Sequence, residues 1–190
     1  MAIVFIPAED KSIHDERGIR AELATVGVDY ERWDLSRVSA DASAEEVLAA
    51  YAVEIDDMKR SGGYRTADVI DVNPETPGLD AMLSKFDREH THSEDEVRFI
   101  LAGSGVFFLN AKDGRVLSVE VRPGDMIRVP SGTAHWFTLC NDRRIRAIRW
   151  FQDTKGWTPE YTESGVDAGY QPICFGPEYL GARANTTISA

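Results

Sequence analysis

From residue 97 to residue 151 the chain reads VRFILAGSGVFFLNAKDGRVLSVEVRPGDMIRVPSGTAHWFTLCNDRRIRAIRWF. Short apolar, β-branched and aromatic runs are cut at close intervals by turn-forming residues: Gly103–Gly105, Asp113–Gly114, Pro123–Gly124, Ser131–Gly132 and Asn141–Asp142. Runs of about five to eight residues between such breaks read as strands joined by tight connections. The fold class is therefore mainly β, an antiparallel barrel or double-sheet jelly roll.

The preceding 84 or so residues are of different texture and read as a flank of short strands and helices. IVFI at 3–6 is a short strand ended by Pro7, and positions 12–24 carry Ile13, Ile19 and Leu23 among charges, a weakly amphipathic helix or a turn. VDYERWDL alternates in the manner of a strand. Residues 43–60 open with a Ser43/Glu46 capping pair, repeat Val47, Leu48, Tyr51, Ile55 and Met58 at helical spacing, and stop at SGGY. A proline-bearing loop, NPETPG, precedes a short helix over about 79–86. A length of 190 residues suits one good core, so the chain reads as a single domain over 1–190. Its barrel core covers about 85–157, with a closing segment and a loose tail, GARANTTISA, over about 158–190.

Chemistry concentrates where the flank meets the barrel, in EHTHSEDEVRFILAGSGVFFL at 89–109, which holds two of the chain's four histidines. Residues two apart on a strand share a face, so the His90 and His92 imidazoles can converge on one point. Glu96 and Arg98 have the same parity across the SEDE turn. His135 comes about forty residues later with Phe137 on its face, and a barrel can lay that strand beside the first. Three neutral nitrogens and one carboxylate oxygen suit a divalent transition metal better than calcium or magnesium. Four protein ligands on a six-coordinate ion leave two positions for a substrate, although a zinc site is also compatible with the set. HxH alone is a weak signal, since exposed histidine pairs are common on strands; the glutamate and the third histidine strengthen it.

Simpler explanations cover most other polar residues. His14 lies among charges and reads as solvated. Glu94 and Asp95 read as turn solvation, with Asp95 a candidate for supporting a ligand histidine from behind. NDRRIRAIRW reads as a turn followed by the solvated face of a strand. There is no phosphate loop, nucleophile elbow or CxxC pair.

Thirty-two acidic against twenty-one basic side chains give a formal charge of −11. A field of that sign disfavours phosphate backbones and anionic lipid, so nucleic acid and membrane are poor partners. No apolar run approaches the roughly 20 residues of a membrane span. MAIVFIPAEDKS lacks the basic opening of a secretory signal, which leaves the cytoplasm as the expected location. In that compartment Cys140 and Cys174 are expected as buried, reduced thiols.

HxH, a glutamate four residues on, and a glycine-led second motif from Gly124 to His135 are the cupin pattern. More narrowly, HTHSEDEVRFILAGSGVFF with GDMIRVPSGTAHWF closely resembles the acireductone dioxygenases of methionine salvage, over about residues 85–157. That resemblance implies a cupin double-stranded β-helix holding one Fe(II) or Ni(II) ion, with His90, His92, Glu96 and His135 as ligands. It further implies Arg98 as the substrate-anchoring residue, Phe86 and Phe137 as an aromatic wall, and Trp157 closing the pocket. The implied substrates are 1,2-dihydroxy-3-keto-5-methylthiopentene and dioxygen, and bacterial members suggest a monomer. Two other cupin activities use the same residues: a sugar isomerase or epimerase that consumes no oxygen, and a non-catalytic ligand-binding or metal-binding cupin. Neither fits the narrower motif as well, and the chain lacks the basic helix-turn-helix that a regulatory cupin would carry.

Overall fold

The computed structural model describes residues 1–153, 158–170 and Cys174; Trp157 and the 181–190 tail lie outside them. In chain order the elements are β1 (Ile3–Ile6), β2 (Lys11–Ile13), α1 (Glu16–Thr25), β3 (Asp29–Arg32), α2 (Ala44–Ala50), α3 (Ala52–Gly62), β4 (Thr66–Val72) and α4 (Leu79–Leu83). There follow β5 (His90–Thr91), β6 (Glu96–Gly103), β7 (Gly105–Asn110), β8 (Val116–Val121), β9 (Asp125–Val129), β10 (Ala134–Leu139), β11 (Ile145–Phe151) and β12 (Glu160–Tyr161). The strands form two antiparallel sheets. One has seven strands in the order β12-β5-β10-β7-β8-β1-β2, the other five in the order β3-β9-β6-β11-β4.

Strand parity explains how the two sheets face one another. In β10, Phe137 and Leu139 point inward with Phe107 and Leu109 of the paired β7, and meet Ile100, Ile127, Ile145 and Ala147 from the opposite sheet. Intervening residues face out. Val106, Phe108, Trp136 and Cys140 form a separate cluster on the outer face of the seven-stranded sheet. The outer face of the five-stranded sheet is covered instead by helices: Val97, Phe99, Ile148 and Trp150 pack against Val47, Tyr51 and Ile55. Both faces of β6 and β11 are thus covered. The two inward-facing layers make the jelly-roll barrel expected of a cupin.

The helical flank differs from its sequence pattern in two places. Ile13 belongs to β2 rather than to α1, because Asp15 caps α1 by accepting from the Gly18 amide at 2.8 Å. The 43–60 pattern is split at Tyr51, which is fully buried and whose hydroxyl donates to the Asp34 carbonyl at 2.6 Å. The Ser43/Glu46 capping box and the glycine stop at Gly63 both form.

Three further expectations are corrected. Cys140 and Cys174 are joined in a disulfide, not kept as thiols; an apolar outer-sheet cluster brings them together. Glu94 is buried, not solvated, and accepts from the backbone amides of Gln152 at 2.5 Å and Asp153 at 3.4 Å. The NDRRIRAIRW strand has no solvated face: Arg146 is buried against the carbonyls of Ala40 and Ala42. Among the described residues no helix is long and apolar enough to cross a membrane.

Candidate metal centre

The chain crosses from the seven-stranded to the five-stranded sheet between β5 and β6, and this crossing builds the site. His90 sits in β5 directly opposite His135 in β10. His92 follows β5, and Glu96 is the first residue of β6, paired with Val129 of β9. The three imidazoles are buried, with ring centroids 4.6 to 5.1 Å apart. Their ligand atoms all lie within 4.8 Å of one another.

Each histidine is oriented by a backbone carbonyl at Nδ1: Arg88 for His90 at 2.7 Å, Thr158 for His92 at 3.2 Å and Thr133 for His135 at 2.8 Å. A carbonyl can only accept, so Nδ1 carries the proton and Nε2 presents a lone pair to the centre of the cluster. The buried Nε2 of His90 has no hydrogen-bond partner in the protein. Burial, helped by the neighbouring His135, lowers the His90 pKa to about 4, so this ligand is neutral near pH 7. A buried lone pair aimed at two other imidazoles fits a divalent transition metal ion. The three histidines form a metal-ion site.

Glu96 faces the same point. Its Oε2 is 3.0 Å from His135 Nε2 and 3.3 Å from His92 Nε2, while Oε1 accepts from Arg98 Nε at 2.6 Å. Burial alone would raise this carboxyl; the Arg98 guanidinium outweighs it and holds it well below the usual carboxylate range.

Arg98 lies over the Phe137 ring, 4.9 Å from its centroid, and the Phe137 amide donates to the Phe86 carbonyl at 2.7 Å. Phe86 in turn packs edge-on against His90 at 5.7 Å. Arg98, Phe86 and Phe137 thus meet beside the histidines. They also line a cavity of about 350 Å³ with Met82, Leu139 and Arg149. Asp95 supports the site through the backbone. It accepts from the Tyr64 hydroxyl and the Ser131 amide, both at 2.9 Å, and the adjacent Gly132 amide donates to the His92 carbonyl.

Sequence reasoning missed Arg149, which stands directly across from Arg98 in the β6/β11 register. Both point into the barrel. Like charges opposite each other are unfavourable unless compensated; Glu96 compensates one and Asp68, at 2.9 and 2.7 Å, the other. The missed signal was the alternation in IRAIRW, where Ile145, Ala147 and Arg149 share the inward face. Glu89 was also missed: it is buried next to His90 and takes hydrogen bonds from Asn110, Thr162 and Ser164.

With three histidines, a carboxylate and a paired arginine at one end of a small barrel, comparison with known proteins is decisive. The ARD/ARD' family model matches residues 8–159. The chain belongs to this family. An acireductone dioxygenase of Bacillus cytotoxicus is 41% identical over 170 residues, 85% of this chain and all of the relative. One from Exiguobacterium sibiricum is 39% identical over 176 residues, covering 88% of this chain and 98% of the relative. Among solved structures, an acireductone dioxygenase from Bacillus anthracis with a cadmium ion in its active center superposes with a TM-score of 0.80. That pair shares 39% identity over 85% of this chain and 98% of the other. The ARD/ARD' match covers every strand except β1 and β12, and every residue named at the site except Thr162 and Ser164.

Proposed function

We propose that this chain is a metal-dependent acireductone dioxygenase that cleaves 1,2-dihydroxy-3-keto-5-methylthiopentene with dioxygen in methionine salvage. The observation that carries this is the three-histidine site, beside an arginine-bearing cavity whose wall includes Phe86, packed on His90, and Arg98, bonded to Glu96, in a chain of the ARD/ARD' family. Glu96 is the fourth ligand, and the ion is Fe(II) or Ni(II), since imidazole and carboxylate donors accommodate both. When bound, the ion supplies Lewis acidity and a template for the enediol oxygens.

The protein's own groups do the remaining work. The substrate is an acidic enediol that binds as an anion, and a chain of net charge −11 needs local cations to receive it. Arg98 and Arg149 provide them side by side on the inward face of β6 and β11. Arg98 has a second duty, because its Nε–H fixes the Glu96 carboxylate against the histidines. Met82 and Leu139 give the methylthio end an apolar lining, while Phe86 and Phe137 keep water from the reacting carbons. The three carbonyls at Nδ1 hold each imidazole in the metal-binding tautomer.

The test is dioxygen uptake with this substrate by protein reconstituted separately with each metal. The iron form should give formate and 4-methylthio-2-oxobutanoate, and the nickel form methylthiopropionate, formate and carbon monoxide. Absence of oxygen consumption by both fully loaded forms would reject the assignment and favour an isomerase-type cupin.

A further inference from the structure

The Cys140–Cys174 bond joins two parts of the chain that each also contribute to the metal site. Cys140 directly follows the strand that carries His135. Cys174 lies beyond residues 8–159, outside the stretch that matches the family, and follows a strap that begins at the site itself. At the near end of this strap the Thr158 carbonyl receives His92 Nδ1, and Glu160 and Tyr161 of β12 pair with Thr91 and His90. In its middle, the Thr162 and Ser164 hydroxyls donate to buried Glu89. At the far end, Val166 and Tyr170 rest on the outer-sheet cluster, with the Tyr170 ring 5.8 Å from Trp136 and 6.3 Å from Phe108.

Hydrogen bonds and a few rim contacts hold the strap, but little of it is buried. Residues 160–165 are exposed, β12 has only two residues, and Val166 and Tyr170 are only half-buried. Segments with so few buried apolar contacts open locally at little free-energy cost. A covalent link at the far end keeps the strap at high effective concentration against the sheet, so openings reclose at once.

We propose that Cys140–Cys174 is a redox-reversible tether that governs how firmly the strap holds the metal site. Reduction is thiol–disulfide exchange with a dithiol. One thiolate of the dithiol attacks a protein sulfur, and a mixed disulfide forms as the S–S bond breaks. The second thiol then displaces the other protein thiol, and the dithiol leaves as its cyclic disulfide. Two electrons and two protons pass to the protein, and a disulfide of the same class reverses the step. Once cut, the strap opens more often, and each opening takes the Thr158 carbonyl away from His92. Loss of such an orienting partner weakens metal binding about ten- to a hundredfold. The tether depends on the metal site alone and not on the substrate.

The experiment uses nickel-loaded full-length protein, air-oxidised or reduced anaerobically with dithiothreitol that is then removed by desalting. Alkylation in denaturant followed by mass spectrometry should find no free cysteine in the first sample and two in the second. Nickel release to a chromogenic chelator should be about tenfold faster after reduction. The Cys174→Ser variant should release at the reduced rate with or without dithiothreitol. Hydrogen exchange should quicken over 160–166 and stay unchanged in β8. Two free cysteines in the oxidised protein would overturn the proposal. So would equal release rates in all samples, or faster exchange throughout the barrel.

Discussion

At the residue scale the metal site rests on proton placement. Arg98 is the side chain whose two contacts separate anchoring from scaffolding. Replacing it with lysine keeps a positive charge but removes the Nε–H that Glu96 accepts at 2.6 Å. A charge-assisted hydrogen bond of this kind contributes roughly 1.5–3 kcal/mol, so Arg98→Lys should lose on the order of ten- to a hundredfold in kcat/KM for oxygen uptake. Near wild-type turnover would show that the guanidinium geometry is not used. His90 supplies a second prediction. Its imidazole protonates near 6.5 in an unfolded chain but near 4 in the folded one. Between those values the unfolded chain binds more protons, so the stability gained by keeping His90 neutral is complete above about 6.5 and is lost as the pH falls through about 4. Metal-free protein should therefore melt at progressively lower temperature over that range, and His90→Gln should flatten the profile; parallel curves would contradict this origin. The histidines were legible in the sequence because strand parity and a two-residue spacing determine which side chains converge. Glu94 was not, since a carboxylate in a turn looks solvated until another segment's amides are laid over it.

At the element scale the barrel was readable because glycine turns cut the chain into strands of near-equal length. The helices over the five-stranded sheet were readable as helices but not as its cover, because amphipathic spacing gives a helix's apolar face and not its partner. Double burial of β11 followed from that cover, and with it the inward place of Arg149. The disulfide was misread for a related reason: a compartment argument about thiols ignored that Cys140 and Val166–Tyr170 share an apolar cluster on the outer sheet. One turn couples element packing directly to the site. A Cβ on Gly105 would lie 2.3 Å from the Phe137 ring and 2.8 Å from the Thr138 carbonyl. The alanine cannot be absorbed without moving Phe137, whose ring supports Arg98. Overpacking of this order costs roughly 1–3 kcal/mol, which for a chain of this length corresponds to a fall of roughly 2–12 °C in Tm. Gly105→Ala should therefore melt earlier and also raise KM for the enediol; a lower Tm with unchanged KM would separate the fold from the pocket.

At the scale of the whole molecule, the metal ion is a cross-link between layers. His90 and His135 belong to the seven-stranded sheet, Glu96 opens the five-stranded one, and His92 lies on the crossing between them. Without the ion, a buried carboxylate and three buried imidazoles face one another at the end of the barrel where β5 crosses to β6 and β9 crosses to β10. Binding that favours the folded state stabilises it by RT ln(1 + [L]/Kd), about 4 kcal/mol when free metal is a thousandfold above Kd. At about 2–4 °C per kcal/mol for a chain of this length, stripping the metal should lower Tm by roughly 8–16 °C. Calorimetry of nickel-loaded and chelator-treated samples reads this directly. The His92→Ala variant is the control, because it should bind little metal and show almost no shift on chelation. The apo wild type should also lose hydrogen-exchange protection first in β5 and at the start of β6, where the layers meet, and last in β7 and β8. If chelation left Tm unchanged in protein shown by elemental analysis to have lost its metal, the ion would be a passenger in a site that the two sheets close by themselves.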